Sequence, residues 1–251
     1  MISGNFVNHF VTRGLTFFLV AILALASASL IKHDPRFALV VVTVLVGLAV
    51  PTWLSRRRMR ALLLSGDVQQ VLGMWQGSLQ RVTCPETMAP LLTATAYAAY
   101  GFIDAAQHSL ERAVRGPAWD AAMEQRLFVE ALLDVYVGER QRALSKAAEL
   151  EGMPLPPANF WMKRKIALLR RGVSALTRAF AHASQRSDEK ILRNAASASP
   201  LVHWAMHYAR AIVLVDAGRK TEALNAIARA PSWPEESAFH AFHSELLSAA
   251  K

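Results

Sequence analysis

Two uncharged apolar runs open the chain, Gly14–Ile31 and Phe37–Leu54, each 18 residues long. A helix rises ~1.5 Å per residue, so each run spans roughly 27 Å, close to the ~30 Å hydrocarbon core of a bilayer. Between them stands Lys32-His33-Asp34-Pro35-Arg36. Three charged side chains and a proline without an amide hydrogen are costly among lipid tails. The pattern predicts a transmembrane helical hairpin with its tip in this break. From Ala61 onward the pattern changes. Apolar residues recur at three- and four-residue spacing, period-2 alternation is almost absent, and Ala, Leu, Arg, Glu and Gln dominate. That is the signature of amphipathic helices. The expectation is an all-α chain: a membrane anchor over residues 1–60 with transmembrane helices 14–31 and 37–54, then a helical domain over 61–251.

Glycines punctuate the second part at Gly66, Gly101, Gly138, Gly172 and Gly218, at intervals of 35, 37, 34 and 46 residues. A period in the thirties, with a helix on each side of a short glycine turn, predicts an array of helix hairpins. The spacing places helices over Arg57–Ser65, Asp67–Gln80, Thr87–Tyr100, Ile103–Val114, Ala118–Val137 and Glu139–Leu150. Further helices are predicted at Asn159–Arg171, Val173–Ala183, Ser187–Asn194, Pro200–Ala217 and Thr221–Arg229. Met153-Pro154-Leu155-Pro156-Pro157 reads as a stiff connector, and Glu235–Ala249 as a helix capping the array.

Around Gly101 stand Ala94, Ala106 and Ala113; around Gly218 stand Ala211, Ala223 and Ala230. With these residues the chain resembles a tetratricopeptide repeat protein. In that family a small residue lies seven positions before the turn glycine, and alanines lie five and twelve after it. Gly138 has Ala131 and Ala143 but Leu150 in the third place. Gly172, with Lys165 and Thr177, and Gly66, with Met59 and Val71, depart from the pattern. The resemblance covers roughly residues 88–231 and implies a TPR-like α-solenoid whose first helices line a concave groove. Carried over residue by residue, the groove positions are Leu91, Thr95, Ala98, Phe128, Leu132, Val135, Tyr208, Ile212 and Val215. They are mostly apolar. Such a groove suits an amphipathic helix from a protein partner; the alternative is that an internal helix of the same chain, or simple core packing, fills it.

Charge sets an expected orientation. Arg56, Arg57, Arg58 and Arg60 follow the second apolar run, whereas the tip carries only Lys32 and Arg36. The positive-inside bias puts both ends of the hairpin, and the large domain, in the cytoplasm of a bacterial inner-membrane protein. An alternative is that the first run is a cleaved signal peptide ending near Ala26-Ser27-Ala28. The net charge is +9, and +7 of it lies beyond residue 54. A basic domain tethered at a membrane is drawn to an anionic bilayer. Lys163, Arg164, Lys165, Arg170 and Arg171, following Phe160 and Trp161, form a second basic segment suited to lipid headgroups or an acidic partner. A plain solvated helix face is the competing reading. Basic residues with nearby aromatics are too common to argue for nucleic acid.

Candidate chemistry is sparse. Cys84 is the sole cysteine, which excludes an intrachain disulfide and multi-cysteine metal sites. His203 and His207 lie four apart, and His240 and His243 three apart, spacings that let each pair face one way as metal ligands. Nothing in the sequence brings the two pairs together. There is no His-Glu-x-x-His, no Gly-x-Ser-x-Gly and no phosphate-cradling glycine loop. No enzyme activity and no cofactor is expected. The leading expectation is a membrane-anchored scaffold or adaptor that recruits a partner through the cytoplasmic groove. The alternative is a structural or accessory subunit of a larger membrane complex, held by its hairpin.

Overall fold

A computed structural model describes residues 36–249, and every element among them is a helix or a turn. In order they are α1 (Arg36–Leu64), α2 (Val68–Leu79), α3 (Pro85–Ala99), α4 (Ile103–Glu111), α5 (Pro117–Ala121) and α6 (Met123–Val137). Then follow α7 (Arg140–Gly152), α8 (Phe160–Phe180), α9 (Asp188–Ala198), α10 (His203–Asp216), α11 (Lys220–Ile227) and α12 (Ala238–Ala249). The chain divides into two units at Met59/Arg60. The first apolar run and the tip lie outside the described residues. Phe37–Leu54 is helical backbone within α1, but most of its side chains also lie outside them. Among the described residues no helix is long and apolar enough to cross a membrane.

Local chemistry sets several helix ends. Asp67 and Asn159 cap α2 and α8, their side chains accepting the N–H groups of Gln70 and Met162 at 3.0 and 2.8 Å. Pro85 and Pro117 open α3 and α5, where a missing N–H costs nothing. Gly138 closes α6 at φ 88°, in the left-handed region that costs glycine nothing. The last carbonyls of α1, which no helical N–H can reach, are met from elsewhere. Tyr100 donates its hydroxyl to Leu63 at 2.8 Å, and Trp204 donates its indole N–H to Leu64 at 3.0 Å.

Beyond Arg60 the helices stack in pairs. Most pack on a neighbour in sequence, and the first helices of successive pairs also touch: α3 on α6, α6 on α8, α8 on α10. Alanines make this closeness possible. Ala94, Ala98, Ala106, Ala131, Ala143, Ala211 and Ala223 are all buried. A methyl group is the largest side chain that fits where two backbones approach within a few ångström.

Three features differ from the sequence expectation. Gly172 is no turn: α8 runs unbroken through it. A Cβ there would lie 2.7 Å from the Cβ of Ala195, so the glycine serves the crossing of α8 with α9. The predicted helix over Ala118–Val137 is two helices, joined at Ala122. The C-terminal helix, expected to cap the end of the array, packs on α10 and α11 and also reaches back across the inner face. Phe239, fully buried, stacks on Tyr208 of α10 at 4.9 Å and meets Tyr136 of α6 edge-on at 5.6 Å. Phe242 packs against Phe180 of α8 at 5.1 Å. The strand of chain before the helix is pinned by polar contacts. Ser237 donates to the carbonyl of Tyr100 at 2.7 Å, and the Ala238 N–H to that of Gly101 at 2.8 Å. The Trp233 indole donates to the Tyr208 hydroxyl at 2.7 Å.

Candidate partner-binding surface

Covering one end of the inner face leaves the other end open. A cavity of about 790 Å³ lies along the first helices of the pairs. Met88 and Thr95 of α3, Phe128 of α6, Ile166 and Leu169 of α8, and Leu201 just before α10 form its apolar lining. These positions follow helical register. Ile166, Leu169 and Arg170 share one side of α8, as Glu124 and Phe128 share one side of α6. Cys84, an exposed free thiol, stands at the cavity too.

Of the nine positions carried over from the resemblance, five line a cavity at one end or the other and four lie in the core. Thr95 and Phe128 line the large cavity. Val135, Ile212 and Val215 line a second one of about 350 Å³ beside Phe242 and Leu246 of α12. Leu91, Ala98, Leu132 and Tyr208 are fully buried, and Tyr208 lies directly beneath Phe239. Met88, Ile166, Leu169 and Leu201 were missed by sequence reasoning. Gly172 departs from the family pattern, so the resemblance carried no groove position onto the helix that holds Ile166 and Leu169, although α8 runs unbroken there and brings them to the same cavity as Phe128.

The polar wall of the cavity is internally satisfied. Arg170, assigned by the sequence to a basic outer surface, is instead buried, with 4 % of its surface exposed. Its Nε donates to Glu124 at 3.0 Å, and its terminal nitrogens donate to the carbonyls of Met153 and Pro154. Cost decides this placement: a guanidinium out of water needs a carboxylate and further acceptors together. Here it ties the proline-rich connector to α8. The remaining basic residues named from sequence, Lys163, Arg164, Lys165 and Arg171 on α8 and Arg56, Arg57, Arg58 and Arg60 on α1, are exposed. Arg57 lies over the Trp53 ring at 5.3 Å.

The histidine pairs point to separate surroundings. The rings of His203 and His207 are 4.3 Å apart, and their Nδ1 atoms face the carbonyls of Ala196 and Ala226 at 3.2 and 3.1 Å. Burial pushes both below the usual histidine range, His207 to about 4, with the neighbouring His203 adding to the effect. His243 lies 3.0 Å from the Tyr208 hydroxyl through Nδ1, while His240 is exposed. Among the described residues no group of three or more His, Cys, Asp or Glu side chains converges as a metal site.

No family model matches the chain, and no curated protein or solved structure matches it at a significant level.

Proposed function

We propose that this chain is a membrane-anchored adaptor that recruits a protein partner through a TPR-like helical domain. Its anchor is the hairpin 14–31 and 37–54, with the domain on the cytoplasmic side of a bacterial inner membrane. Support for the anchor is the uncharged length of the two runs and the arginine block behind the second. Support for the repeat reading is threefold. Turn glycines 66, 101, 138 and 218 all have positive φ, most of the family's small positions around Gly101, Gly138 and Gly218 are buried alanines, and the first helices of the pairs stack on one another.

One observation carries the recruiting role: the open apolar cavity of about 790 Å³ on an inner face whose other end the chain covers itself. An apolar recess spanning three stacked helices offers room for two or three large side chains of an amphipathic helix, read as spaced anchors. Cys84 supplies the test, because it is the sole cysteine and stands at the recess. A photocrosslinker placed on Cys84 of the full chain should capture a defined protein in native membranes, and Phe128→Asp should abolish the capture. Undiminished capture by the Phe128→Asp chain, with its helical content intact, would refute the recess as the docking site. Loss of the partner only on deleting the hairpin would favour an integral subunit of a membrane complex instead.

A further inference from the structure

The start of α8 exposes an unusual tip. Phe160, Trp161 and Met162 are 69, 73 and 50 % exposed, and Lys163, Arg164 and Lys165 follow them in the open. Leaving three consecutive large apolar side chains half or more exposed forgoes much of the drive that builds a core, which full burial would put at about 1.5–3 kcal/mol for each. The tip is nevertheless well held. Asn159 caps the helix, the two rings meet edge-on at 5.7 Å, and Arg170 fastens the connector ahead of them to α8.

Geometry and charge choose the occupant. Successive helical residues are ~100° apart, so three in a row fan around the helix end. A protein groove reads a stripe at three- and four-residue spacing, whereas a fan presents its side chains end-on. Tryptophan favours the headgroup level of a bilayer, where the ring is half in lipid and half in water. Between Glu151 and Asp188 the chain has no acidic residue. Among the described residues, Lys163, Arg164 and Lys165 take part in no ion pair.

We propose that the first turn of α8 is an interfacial wedge: Phe160, Trp161 and Met162 enter the boundary of an anionic bilayer, and Lys163, Arg164 and Lys165 bind its headgroups. The inference rests on the membrane location proposed above, and its test separates the two. The full chain carrying Cys84→Ser and Met162→Cys is labelled with an environment-sensitive fluorophore. It is reconstituted into liposomes of phosphatidylcholine alone or mixed with phosphatidylglycerol. In the anionic liposomes the emission should move to shorter wavelength and be quenched by doxyl-labelled lipid. Reversing Lys163, Arg164 and Lys165 to Glu should abolish both effects, since each cation near an anionic leaflet is worth about a fivefold change in surface binding. An unchanged spectrum in detergent, neutral and anionic liposomes would overturn the wedge, while resistance of the protein to alkaline carbonate extraction would leave the hairpin standing. Release by carbonate from liposomes in which the label is still quenched would support the wedge and remove the hairpin. A blue-shifted label that doxyl lipid does not quench would overturn the lipid assignment.

Discussion

Replacing Gly172 by alanine sets two opposing effects of known size against each other. In an exposed helix interior the change stabilises by about 0.8–1 kcal/mol, because alanine has less backbone freedom to lose. Here the new Cβ would lie 2.7 Å from the Cβ of Ala195, against the ~3.5–4.0 Å at which carbon atoms rest. The Ala195 methyl has no rotamer through which to retreat, and its residue is fully buried in α9. Met206, whose Cε would be 3.4 Å away, gives way more easily. Relief therefore requires α8 and α9 to separate, an overpacking cost of about 1–3 kcal/mol. The net expectation for Gly172→Ala is a loss of up to about 2 kcal/mol. Ala195→Gly alone should cost about 1–2 kcal/mol through propensity and one lost methyl. In the double variant the methyl changes helix and the clash is gone. The two changes should then couple favourably by about 2 kcal/mol. The assay is equilibrium guanidinium unfolding of the full chain in mild detergent, followed by circular dichroism. A stabilised Gly172→Ala with no coupling to Ala195→Gly would refute the close crossing, and with it the reading of Gly172 as a packing residue.

Three further outcomes are expected. Phe239→Ala should cost about 3–5 kcal/mol in the same unfolding assay, since it empties a fully buried aromatic site between Tyr208 and Tyr136. A cost under about 1 kcal/mol would mean that the C-terminal helix is only loosely laid on the inner face. Arg170→Met should leave the carbonyls of Met153 and Pro154 without their donor and cost about 3 kcal/mol. Limited proteolysis should then speed up within residues 153–159, and unchanged cleavage would contradict the tie. His207 is a base whose folded pKa, about 4, lies below its ordinary 6.5, so protonation favours unfolding. Its contribution is complete above pH ~6.5 and is lost as pH falls towards ~4, up to about 3 kcal/mol. His207→Gln should flatten that acid limb of stability, and an acid limb as steep as that of the parent would contradict the burial of the ring.

Much of the helical domain is legible in the sequence because its causes are local. Turn glycines 66, 101, 138 and 218 carry positive φ, a condition that two dihedrals set at one residue. Capping by Asp67 and Asn159 involves partners three residues away. The alanines around Gly101 and Gly218 mark positions where helices approach, and they are buried or nearly so. The same local logic fails at Gly172, where glycine is needed for space rather than for its dihedrals. It fails again at Arg170, which looks like its exposed neighbours Lys163 and Arg164 until Glu124 and two connector carbonyls converge on it.

What the sequence by itself determined is the helical class, the rhythm of hairpins, the small-residue seams and two uncharged runs long enough for a bilayer. These follow from propensity, spacing and hydropathy, which act over a few residues. Tertiary structure alone decided how the inner face is shared. The chain's own C-terminal helix covers one end, through contacts such as Ser237 to Tyr100, which are 137 residues apart. The other end remains an open recess assembled from α3, α6 and α8. Apolar positions look alike in a sequence whether they face a partner or their own chain. Burial is non-directional, and only the path of the backbone settles which surface a given face meets.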